Sequence, residues 1–249
     1  MERVADGVHR IHSNGLVNWY LVEEGKRLTA IDAGFPPDWE ALRAALELLG
    51  HDLRRLEAVV LTHGHVGHIG FAERARKEAG ATVYVHPRDE RIVRRRASIA
   101  RSERNPLRYL NEPAARRLFF VALRTAAFRG KGVGELATFA GSDANALAHV
   151  PGSPRPVFTP GHTDGHCVLH LPDRDVLFTG DALVTRDPYT GLSGPRLVAR
   201  AATADAGEAR RSLSRIAETG AGLLLPGHGE PWPGGAAEAA AQAEAAGAA

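Results

Sequence analysis

The stretch Leu61–Gly70, LTHGHVGHIG, places three histidines within six positions, His63, His65 and His68, with Gly67 directly before the last of them. It continues the apolar run EAVVLT (Glu57–Thr62), which reads as a strand buried on both faces. The imidazoles therefore leave a buried strand at its C-terminal end. Open α/β sheets place ligand sites at such ends.

The same arrangement recurs three times downstream. RPVFT (155–159) leads to His162, RDVLFTG (174–180) to Asp181, and AGLLLPG (221–227) to His228. Four strands thus deliver five histidines and a carboxylate to one edge. Imidazole with carboxylate suits zinc, iron or manganese, and a catalytic zinc takes about three protein ligands plus water, so six donors leave room for two ions. The alternative at each position is a loop residue satisfied by neighbouring backbone. His166, inside PGHTDGH, reads as a supporting group behind the ligands. His9, His12, His51, His86, His149 and His170 lack comparable placement and are expected in ordinary surface or core roles.

Outward from these loops the chain alternates short strands with amphipathic helices. NWYLVEE and RLTAIDAG read as paired strands, DWEALRAALELLG and FAERARKEAG as helices ending at Gly50 and Gly80, and ATVYVH as a further strand. From about residue 88 to 131 strand signals stop, and an arginine-rich segment reads as helices broken at Pro106 and Pro113, an insertion or lid. ADAGEARRSLSRIAETG reads as a helix. The alanine-rich tail is a helix of marginal isolated stability, either docked or frayed.

Composition bounds the setting. At 249 residues, 44% hydrophobic and 24% charged, the chain matches one soluble domain spanning 1–249, and no apolar run approaches the ~20 residues a membrane span needs. Cys167 is the single cysteine, which excludes an intrachain disulfide and a cysteine-based zinc site. With no signal-like N-terminus, a cytoplasmic location is expected. A net charge of +2 is too small to argue for nucleic acid.

THGHVGH, TPGHTDGH, LFTGDA and LLPGHGEPW, with NWYLVEEGKRLTAIDAG ahead of them, resemble the ordered motifs of the metallo-β-lactamase superfamily. The resemblance covers most of the chain outside the insertion. It implies an α/β (α+β) chain folded as a four-layer αββα sandwich, with a metal site at one edge and the helical insertion beside it. It assigns His63, His65 and His162 to a first ion, His68 and His228 to a second, and Asp181 as the bridge. Asp32 would support the histidine loop from behind.

The superfamily pattern is HxHxDH, and here Gly67 stands where that aspartate belongs. The second ion would lose a ligand and a negative charge, which points to a mononuclear or unequally loaded centre. Natural divergence within an active enzyme, decay toward a binder and an engineered silencing substitution all remain open as explanations. Asp164, two residues after His162, is a candidate replacement base. Tyr189, in RDPYTGLSGP, is a candidate for the pocket wall and for polarising a carbonyl.

The resemblance implies a zinc-dependent hydrolase, with one or two ions, and iron or manganese as alternatives. Metal-bound hydroxide would cleave a small ester, thioester, lactone or lactam. The short run after His228 disfavours a glyoxalase II activity, and polymeric nucleic acid is not an expected substrate. An iron-dependent oxygenase of the persulfide dioxygenase type and a non-catalytic metal-binding module stay open. Arg94, Arg95, Arg96, Arg101, Arg104 and Arg108 could attract an anionic small molecule, or could form a solvated helix face. Oligomeric state is not legible.

Overall fold

Strand β5 (Leu56–Val60), which feeds the histidine loop, shows why the apolar runs are continuous. Val59 packs with the first helix, whereas Ala58 and Val60 pack against a second sheet, so both faces are buried. The computed structural model describes residues 1–95, 102–128 and 132–248.

In chain order, β1 (Glu2–Ala5), β2 (Val8–Ser13), β3 (Val17–Glu24) and β4 (Arg27–Ile31) lead to helix α1 (Asp38–Leu48). After β5 come α2 (Ala72–Arg74), which widens into a π-helical turn over Ala75–Ala79, then β6 (Thr82–Val85), α3 (Glu90–Arg94), α4 (Pro113–Arg124) and β7 (Ala137–Thr138). The second half holds β8 (Arg155–Phe158), β9 (Cys167–Leu171), β10 (Val176–Gly180), β11 (Val184–Arg186), β12 (Ser193–Arg196), α5 (Ala206–Ala217), β13 (Leu223–Pro226) and α6 (Ala236–Ala246).

Among the described residues, β1 to β7 form one sheet in sequence order, antiparallel through β4 and parallel from β4 to β7. A second sheet has the order β13-β10-β9-β8, and β11 and β12 form a separate ribbon. Three apolar clusters fix the layers. Trp39, Leu42 and Leu46 of α1 pack on Leu21, Leu28 and Val83. Tyr20, Ile31 and Val60 meet Leu169, Phe178 and Leu225 between the sheets. Leu213 and Ile216 of α5, with Ala239 and Ala243 of α6, cover Leu177 and Leu224. The order is helix, sheet, sheet, helix, the metallo-β-lactamase-type sandwich expected from the motifs.

The alanine-rich tail is docked: Ala236, Ala239, Ala240 and Ala243 of α6 are buried. Pro106 and Pro113 start helical turns rather than breaking them, because proline's fixed φ and missing N–H suit the first helical position. No helix among the described residues is long and apolar enough to cross a membrane.

Trp19 is fully buried in β3, its ring edge-on to Phe71 at 4.9 Å between centroids. Trp19→Ala is expected to lower unfolding stability by about 3–5 kcal/mol, as large-to-small core changes do. Denaturant titration checks this. A loss below about 1 kcal/mol would show that the layer collapses around the gap.

Candidate metal centre

The four loops that follow β5, β8, β10 and β13 meet at one edge of the sandwich. One ligand atom from each of His63, His65, His162 and Asp181 lies within 4.8 Å of the others, and the same holds for His68, Asp181 and His228. Asp181 belongs to both groups. Its Oδ2 stands 3.2 Å from His228 Nε2, 3.4 Å from His162 Nε2, 3.6 Å from His68 Nε2 and 3.8 Å from His63 Nε2. Gly180 permits the close meeting: its φ is +49°, and a Cβ there would stand 2.6 Å from Thr62 Oγ1.

Hydrogen bonds on the far side of the rings decide which nitrogens face inward. His63 Nδ1 lies 3.0 Å from Thr62 Oγ1, whose hydroxyl donates to Asp32 Oδ2 at 2.8 Å. His68 Nδ1 donates to Asp32 Oδ2 at 2.9 Å, and His228 Nδ1 to the Leu16 carbonyl at 2.6 Å. These bonds fix the Nδ1 protons on the outer side of all three rings, so Nε2 is the nitrogen that faces the centre. His162 Nε2 and His65 Nδ1 face each other at 2.8 Å. His63 Nε2, His68 Nε2 and Asp181 Oδ1 are buried without a hydrogen-bond partner. Buried polar atoms are normally satisfied, so a cluster of orphaned donor atoms fits a cation-binding site.

Electrostatics follow from burial and proximity. Burial holds the His63 and His162 rings well below the usual imidazole range, and His65 at about 4. Burial also lowers His68, but the carboxylates of Asp181 and Asp32 outweigh it and lift that ring to about 10. For Asp181, burial raises the carboxyl, yet His228 and His68 beside it hold it well below the ordinary range.

Behind the ligand candidates, His166 accepts the Asp181 amide at Nε2 (3.1 Å) and so carries its proton on Nδ1, 3.0 Å from Thr159 Oγ1. Burial lowers its pKa to about 3, which keeps it neutral. The loop carrying His228 is clamped by the first sheet. Asn18 Nδ2 donates to the Pro226 and Gly229 carbonyls at 2.9 and 2.7 Å, and Tyr20 Oη donates to Pro226 at 2.7 Å.

Asp89 was not singled out by the sequence reading. It is fully buried and accepts from Gly64 N (2.9 Å), Thr163 Oγ1 (2.7 Å) and Gly165 N (2.8 Å). One carboxylate thereby ties the loop of His63 and His65 to the loop of His162. The available signal was its position just after β6, another strand end.

Tyr189 lines a cavity of about 200 Å³ together with His65, His68, Asp181 and His228. Asp187 Oδ1 holds it in place by accepting the Tyr189 and Thr190 amides at 2.8 and 2.7 Å. Burial raises the phenol pKa, so the hydroxyl keeps its proton. The structure does not bring Asp164 to the centre; its side chain is exposed. Arg94, Arg95, Arg104 and Arg108 are also exposed and absent from the cavity wall, while Arg96 and Arg101 lie outside the described residues. His9 and His51 share the Glu23 carboxylate away from the site, at 2.7 and 2.8 Å.

A family model described as the metallo-beta-lactamase superfamily matches residues 13–228. The Bacillus subtilis (strain 168) protein named "Probable metallo-hydrolase YflN" is 27% identical over 254 residues, covering 92% of this chain and 86% of that protein. The metallo-beta-lactamase family protein TTHA1429 from Thermus thermophilus superposes with a TM-score of 0.69 at 23% identity, over 98% of this chain and 80% of its own. TTHA1623 in a di-iron-bound form gives 0.63 at 22% identity, over 90% and 94%. At these identities the two structures speak for the fold.

Proposed function

Because the chain belongs to the metallo-β-lactamase superfamily, we propose that it is a zinc-dependent hydrolase that cleaves a small ester, thioester, lactone or lactam. The observation that carries the reading is the convergence of His63, His65, His162, Asp181, His68 and His228, with orphaned inward-facing atoms and protons fixed on the outer face of three rings. In this reading His63, His65 and His162 would hold a first ion and His68 and His228 a second, with Asp181 available to both. A bound ion supplies Lewis acidity, lowering the pKa of a water to around 7 and polarising a carbonyl oxygen.

The remaining chemistry falls to the chain itself. Asp32 and the Leu16 carbonyl hold the protons of His68 and His228 away from the centre, and His166 fixes the Asp181 backbone. Tyr189 stays protonated on the cavity wall, suited to donating a hydrogen bond to the substrate carbonyl. Gly67 offers no donor, so the second set comprises two imidazoles and a shared carboxylate. Asp181 is also a poor general base, since its neighbours hold its carboxyl low. The second ion should bind much more weakly than the first, and turnover should be slow.

The direct test is a hydrolysis panel of a p-nitrophenyl ester, an acyl thioester, a lactone and a β-lactam, before chelation, after it and after zinc is restored. Turnover of at least one substrate that disappears with the metal and returns with it supports the reading. Turnover of none, in the presence of bound metal, contradicts it.

Asp89 adds a structural prediction. Asp89→Asn is expected to weaken zinc binding, by no more than the roughly 10- to 100-fold lost when a group bonded directly to a ligand is removed, because Asp89 acts only through the backbone and Thr163. Competition with a chromophoric chelator checks this, and unchanged affinity would show that the two loops hold their relative position without the carboxylate.

A further inference from the structure

The cavity over the centre is polar at one end only. His65, His68, Asp181 and His228 form that end. Elsewhere the wall is apolar and comes from separate parts of the chain: Val17 and Phe35 from the first half, Leu118, Phe119 and Phe128 from α4 and the turn after it, and Val198 after β12. Among the described residues of the wall there is no lysine or arginine, and Asp181 is the single carboxylate. Tyr189 adds the single hydroxyl.

Gly67 sits where the histidine loop meets this wall. A Cβ there would stand 3.4 Å from Val17 Cγ2 and 3.7 Å from Phe35 Cε1, ordinary contact distances. Glycine leaves the junction uncharged, whereas a carboxylate would put a negative charge at the mouth of the apolar part. Ligand cavities of this make-up bind an apolar body and orient it with a few polar groups. A charged group carried into the apolar part would lose its hydration without gaining a partner.

Resting on the hydrolase reading of the same centre, we propose that the substrate is an uncharged carbonyl compound carrying an apolar chain or ring. Its carbonyl would be taken up at the end formed by His65, His68, Asp181 and His228, within reach of Tyr189, and its apolar part would lie against Phe35, Phe119 and Val198. This recognition disfavours a charged group lying against Phe35, Phe119 and Val198.

Calorimetric titration with straight-chain 2-ketones from 2-butanone to 2-octanone tests the proposal, because ketones occupy the carbonyl position and cannot be hydrolysed. The Kd is expected to fall about two- to fourfold per added methylene, the return for burying a CH₂. 7-Oxooctanoate, the eight-carbon ketone with a carboxylate at its far end, should bind at least about tenfold more weakly than 2-octanone. Phe119→Asp should abolish the chain-length gain. A misfolded variant would not spoil the test, since the ketone series in the unaltered protein stands alone. A flat series, or tighter binding of 7-oxooctanoate, overturns the proposal. Chain-length-dependent ketone binding without hydrolysis of any ester or lactone overturns the hydrolase reading and leaves the cavity assignment standing. Hydrolysis with no chain-length dependence in either binding or rate does the reverse.

Discussion

Gly67→Asp is expected to move the protein from about one tightly held zinc per chain toward two, and to raise the rate of carbonyl hydrolysis about a hundredfold. The backbone accepts a side chain here: Gly67 has no positive φ, and the nearest atoms to a built Cβ are at 3.4 and 3.7 Å. The new carboxylate would add a fourth donor and a second negative charge to the set formed by His68, His228 and the shared Asp181. It would also provide a base within the centre, and positioned general bases contribute about 10²- to 10⁴-fold. Gly67→Ala makes the same Cβ contacts without the carboxylate and is the control. A gain in Gly67→Asp alone assigns the weakness of this centre to the missing acid. No gain in either metal content or rate would show that Gly67 is not what limits this site.

The opposite change, His162→Ala, is expected to give the largest loss. His162 is 1% exposed, and its Nε2 lies within 3.4 Å of both His65 Nδ1 and Asp181 Oδ2, so the first ion would lose one of its three imidazoles. Outer-shell changes already cost about 10- to 100-fold in affinity, so removing a ligand should cost at least about 10³-fold, with hydrolysis falling to background. Thermal unfolding gives a readout independent of turnover. Zinc at a hundred times its Kd stabilises a native site by about 2.7 kcal/mol, so added zinc should raise the Tm of the unaltered protein and leave that of His162→Ala nearly unchanged. Equal protection of both would place the ion elsewhere.

Much of the architecture was legible because sheets buried on both faces write themselves as apolar runs. Val59 with Val60, and Leu177 with Phe178, serve opposite layers, and the polar residue after each run marks the end where the loops gather. The N-terminal hairpin was missed for the opposite reason. VHRIHS, the sequence of β2, buries His9 and Arg10, which is tolerable only because Glu23 and Glu230, distant in sequence, pair with them. The β11–β12 ribbon was hidden in a segment rich in glycine and proline. In the centre, spacing pointed to His63, His65 and His68, while the two supporting carboxylates diverged. Asp32 was found through its motif. Asp89 was absorbed into the arginine-rich stretch, because its three hydrogen-bond partners lie at residues 64, 163 and 165 and leave no local pattern. Asp164 looked useful from its closeness to His162 in sequence, but the turn directs it to solvent.

Metal bound per chain, measured by elemental analysis on protein purified without added metal and again after equilibration with graded zinc, tests the unequal two-ion centre most directly. The expected result is close to one ion retained through purification and a second acquired only at much higher free zinc, with Asp181→Ala lowering both. Retention of two ions with equal affinity would contradict the role given to Gly67, and no bound metal under either condition would contradict the centre itself.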